Sequence, residues 1–296
     1  MRFNTALLHG DFRGDKKTGA TQTPVYQSSA FEHASAETLE KIFNNKAPGF
    51  SYSRISNPTV DAFERRMTAL EGGIASVSCA SGMAAITNAF TNILRSGDEI
   101  ICSASLYGGS IDLFRDLENF GIKTHYVENN NIEQFEAATN DNTRLYFAET
   151  IGNPRLDVTD IKLLSEAAHK AGVPLIIDNT VATAYLIKPI EYGADIVVNS
   201  TSKYVNGNSN SISGVITDSG NFKWDSVKYP GMKEYAKFGP YAYTAKLRNG
   251  IYRNTGACLS PQNAFYNILG IETLGLRMER ITDNACLLYT SPSPRD

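Results

Sequence analysis

The sequence predicts an α/β fold, with a mostly parallel β-sheet that is covered by helices on both faces. Two observations carry this prediction. Between residues 74 and 200, six short apolar segments rich in β-branched residues alternate with stretches of helical periodicity. The apolar segments are also nearly continuous, which is typical of strands covered on both sides. Strands that alternate with helices favour parallel pairing, because each parallel connection crosses over the sheet.

Residues 1–50 are predicted to form an extended N-terminal arm. They are polar, interrupted by prolines and glycines, and show little periodicity, so only a short helix near Ala36–Phe43 is expected. A longer helix is predicted to begin at Pro58 and to run to about Leu70. Asn57 suits its N-cap, and proline suits its first helical position.

Residues 51–258 are predicted to form the large domain that contains the sheet. Its strands are predicted at 74–79, 99–103, 122–127, 144–149, 174–178 and 195–200, with a further strand at 213–217. Its helices are predicted at 82–94, 109–119, 132–138 and 159–171. From 218 to 258 the alternation is lost and glycine, lysine and aromatic residues predominate, which predicts a long insertion or loop. Loops of this length within a domain tend to be functional.

The C-terminal part of the chain contains one predicted helix and one segment that does not fit the pattern. Residues 259–285 are expected to form a single long helix that begins near Pro261 and leads away from the sheet. The last segment, 286–296, reads CLLYTSPSPRD, and its prolines cannot continue a helix. We interpret this segment as a foreign tail that resembles translated adapter sequence, and it is excluded from the fold prediction.

Composition and charge exclude several classes of function. The chain has 28 basic and 31 acidic residues, so its net charge of −3 gives no basis for binding nucleic acid or an anionic membrane. No apolar run reaches the ~18 residues that cross a bilayer, and the first residues contain no apolar stretch long enough to predict a signal peptide. The four cysteines include no CxxC pair, and the four histidines lack metal-ligand spacing. We therefore expect a reduced, cytoplasmic compartment and no metal.

Lys203 is the first candidate for chemistry. It follows the predicted strand at 195–200 and is flanked by small hydroxyl residues in NSTSKYVNG. An amine buried in a site has a lowered pKa and can attack an aldehyde. Ser200 and Ser202 can donate hydrogen bonds to a phosphate. Taken alone, however, a lysine in a Ser/Asn-rich loop is more often an ordinary surface residue.

Asp178 and the turn at Ser81-Gly82 are candidates for the two ends of a cofactor. Asp178 ends the strand at 174–178, where ligands bind in parallel sheets, and a carboxylate there can pair with a protonated pyridine nitrogen. Ser81-Gly82 opens a helix after a strand, where backbone N–H groups can receive a phosphate. Both features also occur as simple helix caps.

Tyr107 and Asn153 follow two further predicted strands. A tyrosine at a strand end can lie over an aromatic cofactor and pass a proton, although with 15 tyrosines in the chain a structural role is common. Asn153 could be a plain turn residue before proline. Together with Asp178 and Lys203, these residues predict one crevice that offers an aromatic face, an amide, an acid and an amine.

Several motifs along the chain resemble, in order, those of the Cys/Met-metabolism family of pyridoxal-phosphate-dependent enzymes, a branch of fold type I. The motifs are YSRISNPT, SGMAAI, LYGG, ETIGNP, DNT and Ser-x-Ser-Lys-Tyr. The resemblance covers roughly Thr5 to Ala285. It implies a fold-type-I large domain, pyridoxal 5'-phosphate as cofactor, an amino-acid substrate, and a homodimer or homotetramer with shared active sites.

The resemblance also implies a role for each matching residue. Lys203 resembles the lysine that forms the Schiff base, Asp178 the partner of the pyridinium, and Tyr107 the residue that stacks on the ring and assists the leaving group. Asn153 would contact the 3-hydroxyl, with Thr180 close by. Gly82, Met83, Ser200 and Ser202 would hold the phosphate, and Ser81 would also belong to the cofactor site. Tyr52 and Arg54 would reach the phosphate of the neighbouring subunit.

The sequence departs from the family pattern in two respects. Asn199 stands where histidine is common, and Ser202 where threonine is common, although the hydroxyl is kept. Family members also continue into a C-terminal small domain with an arginine that binds the substrate carboxylate, and we expect the printed residues to lack this domain. We therefore expect the chain as printed to carry most of the cofactor site without turning over substrate.

Among the activities of the family, γ-replacement on O-acetyl-L-homoserine by sulfide fits best and yields homocysteine and acetate. The feature that favours this sulfhydrylase activity is the long segment from Asp218 to Gly256. Cystathionine γ-synthase and methionine γ-lyase activities remain alternatives, as does a non-catalytic relative, which would be expected to lose Lys203 or Asp178. A nicotinamide dehydrogenase is disfavoured because CASGMAA lacks G-x-G-x-x-G spacing.

Overall fold

The structure of the protein, a computed structural model, describes residues 2–10, 14–15 and 18–291. Its described part contains one seven-stranded sheet with the order β1-β7-β6-β5-β4-β2-β3. Only β7 runs opposite to the other six strands, so the prediction of a mostly parallel sheet is confirmed. Each strand begins and ends within one residue of its predicted bounds. The strands are β1 (Ala75–Cys79), β2 (Glu99–Ser103), β3 (Lys123–Val127), β4 (Thr143–Glu149), β5 (Leu175–Asp178), β6 (Ile196–Asn199) and β7 (Gly214–Asp218).

The helices that were predicted between the strands are all present. Asn57 caps the helix at Pro58 by accepting a hydrogen bond from the Thr59 N–H, as its sequence predicts. The helices are α1 (Phe3–His9), α2 (Ala36–Phe43), α3 (Pro58–Glu71), α4 (Gly82–Thr91), α5 (Gly108–Glu118), α6 (Ile132–Ala138), α7 (Ile161–Lys170), α8 (Thr183–Leu186), α9 (Ala242–Asn249), α10 (Ile251–Thr255), α11 (Pro261–Glu272) and α12 (Leu274–Thr290). Short 3₁₀ segments lie at Pro189–Tyr192 and Pro230–Tyr241.

The central strands of the sheet are buried on both faces, which explains why they are almost continuously apolar. Leu145 and Phe147 of β4 enter a core with α4, α5 and α9. Tyr146 and Ala148, the alternate residues of the same strand, enter a second core with α6 and α7. Because successive side chains of a strand point to opposite faces, only a strand with two buried faces needs no polar alternation.

The segment from 218 to 258 is not the long loop that the sequence predicted. It contains a 3₁₀ segment followed by α9 and α10, and most of its aromatic residues pack in or against the core. Trp224 stacks on Tyr243 with 5.4 Å between ring centroids, and Tyr229 is buried beside them. Lysines and glycines mask the helical period in this sequence, but packing of its aromatic side chains supplies the missing stability.

Two terminal predictions also need correction. The arm contains α1, whose Leu7 packs in one core with α3, α11 and α12. The predicted single helix from 259 to 285 is two helices, α11 and α12, separated at Thr273. The second continues to Thr290, five residues beyond the predicted end. Pro292 and Pro294, which prompted the predicted break, lie outside the described residues.

Candidate functional site

The sheet order brings the predicted site residues together. Strands β6, β5, β4 and β2 are neighbours, and their carboxyl ends lead to Lys203, Asp178, Asn153 and Tyr107. These residues line one cavity of about 360 Å³, as predicted from the four strand ends. Ten of the twelve predicted cofactor residues line it, namely Ser81, Gly82, Met83, Tyr107, Asn153, Asp178, Thr180, Ser200, Ser202 and Lys203.

Asp178 forms the acidic floor of the cavity. Its Oδ1 accepts hydrogen bonds from the backbone N–H of Thr180 at 2.9 Å and from the Thr180 hydroxyl at 2.5 Å. Burial raises the pKa of Asp178 to about 6, and the hydrogen bonds from Thr180 oppose this shift. Thr180 Oγ1 also accepts the backbone N–H of Ser200 at 2.8 Å, which ties the acidic end of the cavity to its hydroxyl end.

The hydroxyl end of the cavity has the form of a phosphate cradle. Ser81 caps α4 by accepting the Ala84 N–H, and Gly82 is the first residue of that helix. A Cβ at Gly82 would lie 2.6 Å from the Ser200 Cβ, so a larger residue cannot be accommodated without displacement. Ser200 Oγ and Ser202 Oγ are 3.2 Å apart. A helix N-terminus next to two hydroxyls is well suited to a phosphate.

Glu149 is a site residue that the sequence analysis did not single out. This last residue of β4 lies beside Asp178 in the sheet register and lines the cavity. Its Oε1 accepts the Tyr107 N–H at 2.6 Å and its Oε2 accepts the Asn153 N–H at 3.0 Å. Burial, and next the charge of Asp178, raise the pKa of Glu149 to about 7. A carboxylate that ends an otherwise apolar strand, RLYFAE, was the available signal.

Lys203 lies at the mouth of the cavity rather than inside it. Its side chain is exposed, so the expected burial of the amine is not found. Lys203 also lines a larger opening of about 940 Å³ that continues along α12 to Leu276, Arg277 and Arg280. The amine therefore has access both to the cavity and to the space above it.

Tyr52 and Arg54 do not line the cavity. Tyr52 forms an isolated bridge with Ala30, and the Arg54 guanidinium lies 5.3 Å from the centre of its ring. Arg54 Nη1 donates to the carbonyl oxygen of Arg253 at 2.7 Å. A role of both residues in a neighbouring subunit stays a prediction.

The cavity fits a small aromatic aldehyde that carries a phosphate. Its volume lies in the usual range for small-molecule sites, ~300–1,000 Å³. Phosphate donors lie at one end, a buried carboxyl lies on the floor, and an amine lies at the mouth. By contrast, the part of the chain that the structure describes holds no cluster of three or more His, Cys, Asp or Glu side chains suited to a metal ion.

Comparison with known proteins identifies the family. Residues 4–290 match the family described as Cys/Met metabolism PLP-dependent enzyme. The chain belongs to this family. It is thus an enzyme that uses pyridoxal phosphate, as the motifs predicted, and the matched region includes the end of α12.

Named relatives and solved structures refine the comparison. The chain is 43% identical to the O-acetyl-L-homoserine sulfhydrylase of Corynebacterium glutamicum, over 96% of this chain and 68% of the relative. It is 40% identical to the O-acetyl-L-homoserine sulfhydrylase of Leptospira meyeri, over 95% of this chain and 68% of the relative. An O-acetylhomoserine (thiol)-lyase structure from Campylobacter jejuni, which contains a pyridoxyl-lysine phosphate, superposes with a TM-score of 0.91 at 30% identity, over 99% of this chain and 75% of that one.

The fold-type-I prediction is confirmed by these structural similarities. A cystathionine γ-lyase from Lactobacillus plantarum, complexed with L-serine, is also similar, with a TM-score of 0.83, 34% identity, and coverage of 98% of this chain and 68% of that one. Among residues 2–10, 14–15 and 18–291, no helix has the length and apolar character needed to cross a membrane.

Proposed function

We propose that the protein replaces the acetoxy group of O-acetyl-L-homoserine with sulfide at the γ-carbon, giving homocysteine and acetate. The observation that carries this proposal is the 43% identity, over nearly the whole chain, to the O-acetyl-L-homoserine sulfhydrylase of Corynebacterium glutamicum. The similarity to a (thiol)-lyase structure with a TM-score of 0.91 supports it. The reaction is a γ-replacement, which needs removal of the α and β protons and loss of a leaving group.

The residues of the cavity have complementary roles in this proposal. Bound pyridoxal phosphate supplies an electron sink for the charge left by proton removal. Lys203 would hold the cofactor covalently and would carry the α and β protons on its Nζ, while the Asp178 carboxylate would pair with the ring nitrogen. Tyr107 would stack on the ring and assist the leaving group, and Asn153 would contact the 3-hydroxyl. The phosphate is held by Ser81, Gly82, Met83, Ser200 and Ser202.

A γ-lyase or cystathionine γ-synthase activity is the second candidate. The similarity to a cystathionine γ-lyase structure at 34% identity supports it. The segment from Asp218 to Gly256 favours the sulfhydrylase. It resembles the insertion that sulfhydrylases carry in this region, where cystathionine γ-synthases and methionine γ-lyases are shorter. That segment is also an integral part of the fold, since the Tyr243 hydroxyl donates to the Ala89 carbonyl oxygen of α4 at 3.1 Å.

The activities are separated by the choice of nucleophile. The product of the natural gene that encodes these residues is supplied with O-acetylhomoserine and either sulfide or cysteine, and acetate and thiol products are measured. We expect rapid acetate release with sulfide, slow release with cysteine, and loss of both in Lys203→Ala. Faster reaction with cysteine would indicate a cystathionine synthase, and cleavage of methionine without a nucleophile would indicate a γ-lyase.

The active unit in this proposal is a homodimer or homotetramer in the cytoplasm. Tyr52 and Arg54 lie outside the cavity of their own chain, which is where residues of a shared site would lie. A phosphate bound by the Arg54 guanidinium would gain the bidentate contact that arginine makes with such groups. Cell fractionation would test the compartment.

A further inference from the structure

Glu71 is a buried carboxylate that none of the proposed roles uses. It is the last residue of α3 and has no exposed surface. Its Oε1 accepts a hydrogen bond from Asn199 Nδ2 at 2.8 Å. Asn179 Nδ2 lies 3.4 Å and 3.3 Å from the two carboxylate oxygens. The carboxylate therefore joins the ends of two strands, since Asn199 ends β6 and Asn179 directly follows β5.

The two asparagines alternate along the chain with residues that line the cavity. Asn179 lies between Asp178 and Thr180, and Asn199 precedes Ser200. Successive side chains of extended backbone point to opposite sides. Glu71 thus lies behind the layer of residues that faces the cofactor cavity, on the side of α3.

The same network reaches a third strand end. Asn179 Oδ1 accepts the Thr150 hydroxyl at 2.8 Å, and Thr150 directly follows β4. The Asn179 N–H donates to the Val198 carbonyl oxygen of β6 at 2.8 Å. Asn199 Oδ1 is buried without a hydrogen-bond partner among the described residues, so the contact with Glu71 orients this amide.

Burying the Glu71 carboxylate costs free energy, which suggests that its role is to hold the side chains of Asn179 and Asn199. No cation forms a salt bridge with it in the described part of the chain, where its hydrogen-bond donors are the two amides. Burial raises the pKa of Glu71 to about 7, and the amides and Lys188 oppose that shift. Apolar packing at this position would avoid the desolvation penalty.

We propose that Glu71 is a positioning residue of the cofactor site. By holding Asn179 and Asn199 from behind, it fixes the spacing between Asp178, at the ring nitrogen, and Ser200, at the phosphate. The ring nitrogen and the phosphate of the cofactor are joined by a rigid ring and one short arm, so a change in the spacing between Asp178 and Ser200 weakens both contacts. This inference rests on the proposed roles of Asp178 and Ser200.

The first test is Glu71→Gln. Glutamine keeps the shape but offers one acceptor oxygen, and its amide nitrogen faces other N–H donors. We expect the Kd for pyridoxal phosphate to rise about tenfold, equivalent to about 1.4 kcal/mol. We also expect altered visible circular dichroism of the bound cofactor and a shifted pH titration of its absorbance. These spectra report the geometry around the ring, which a loss of global stability would not change.

Glu64→Gln is the matched control. Glu64 lies on the same helix and is also buried, but it binds Ser78 and Arg248 instead of the strand ends at β5 and β6. Its substitution should lower the Tm while leaving the visible spectra and their pH titration as in the unmodified protein. Equal spectral changes in both variants would assign the effect to general destabilisation and overturn the inference.

Asn199→Ala decides the question if Glu71→Gln does not fold. It removes the 2.8 Å contact while keeping the carboxylate, and the same spectral changes are expected. The double variant Glu71→Gln/Asn199→Asp reverses the polarity of that hydrogen bond and should recover part of the affinity. Unchanged Kd and spectra in Asn199→Ala would disprove the positioning role. The variant Lys203→Ala tests the proposed cofactor site separately. If that site were wrong, Lys203→Ala would still be labelled covalently by pyridoxal phosphate and borohydride.

Discussion

At Gly82, the first turn of α4 comes so close to the end of β6 that no side chain fits between them. The Cβ of an alanine would lie 2.6 Å from the Ser200 Cβ and 3.0 Å from the Ser200 Cα. The position is not one of the positive-φ glycines, so the constraint is the close approach and not the backbone conformation. The glycine is thus explained by the shape of the phosphate cradle.

We expect Gly82→Ala to weaken pyridoxal phosphate binding by about tenfold or more, since displacing Ser200 costs on the order of 1–3 kcal/mol. Fluorescence titration with the cofactor measures the change. Gly108→Ala is the matched control, because Gly108 also begins a helix and a Cβ there meets nothing within 4 Å. Equal affinities of the two variants would show that the cradle does not bind the phosphate.

Asp218 predicts a dependence of stability on pH. It is 2% exposed, its Oδ1 accepts the Gly220 N–H at 2.9 Å, and its Oδ2 is buried without a partner among the described residues. Burial, aided by the charge of Asp195, raises the pKa of Asp218 to about 7. In the unfolded chain the pKa of an aspartate side chain is ~3.9. The contribution of Asp218 to the free energy of unfolding therefore falls as pH rises from ~4 to about 7 and is lowest above that.

Asp218→Asn removes the buried charge and should stabilise the protein at pH 8 by about 1–3 kcal/mol. The gain should shrink toward pH 4.5, where the native carboxyl is protonated. Urea unfolding at both pH values measures it, with Asp112→Asn on the exposed surface as the control. A substitution that destabilises equally at both pH values would mean that the carboxylate has a partner when ionised.

At the scale of elements, α12 holds the segment that carries Lys203. Arg277 of this helix donates from Nη1 to the Tyr204 carbonyl oxygen at 2.6 Å and from Nη2 to the Val205 carbonyl oxygen at 3.3 Å. Nη2 also donates to the Gly270 carbonyl oxygen of α11 at 2.8 Å. A single guanidinium thus connects two helices with the residues that directly follow the lysine.

We expect Arg277→Ala to cost about 1–3 kcal/mol of stability, because several charged hydrogen bonds are lost. It should also slow the covalent capture of pyridoxal phosphate by Lys203, which borohydride reduction followed by mass spectrometry measures. Arg280→Ala serves as the control, since Arg280 lines the same opening three residues further along α12. If capture in Arg277→Ala matches that in Arg280→Ala, α12 does not order the lysine segment.

For the whole molecule, the shared-site proposal makes a prediction about mixtures. Arg54→Ala should bind cofactor weakly, and Lys203→Ala cannot hold it covalently. Hybrid sites that combine Lys203 of one chain with Arg54 of the other should recover covalent labelling when cofactor is limiting. Mass spectrometry after borohydride reduction measures the labelled fraction. Mixtures of Arg115→Ala with Lys203→Ala should show no such gain, and demonstrated subunit exchange without recovery would disprove the shared site.

Much of the fold could be predicted from the sequence, as could the meeting of ten of the twelve predicted cofactor residues at one cavity. The strand bounds follow from local composition, because a buried strand must be apolar over its own few residues. The helix start at Pro58 follows from the cap chemistry of Asn57. Tyr107, Asn153, Asp178 and Lys203 could be recognised because Asp178 ends such a strand and each of the others lies four residues beyond the end of one. All these signals lie within a few residues of the feature they predict.

Other features depended on segments that are distant in the sequence. The helices between 218 and 258 form because Trp224, Tyr229 and Tyr243 pack together in a core that the local pattern does not show. The separation of α11 from α12 at Thr273 likewise has no signal in the apolar period. The exposure of Lys203 at the cavity mouth could not be inferred from its hydroxyl neighbours.

The sequence by itself thus determined which segments are strands, which helices alternate with them, and which side chains follow the strand ends. Only the tertiary structure decided that β6, β5, β4 and β2 lie side by side, that Glu149 holds Tyr107 and Asn153, and that Glu71 joins Asn179 and Asn199. The physical reason is the distance along the chain over which each interaction acts. Strand propensity and capping act over a few residues, whereas a buried carboxylate needs donors that the fold brings from remote parts of the chain.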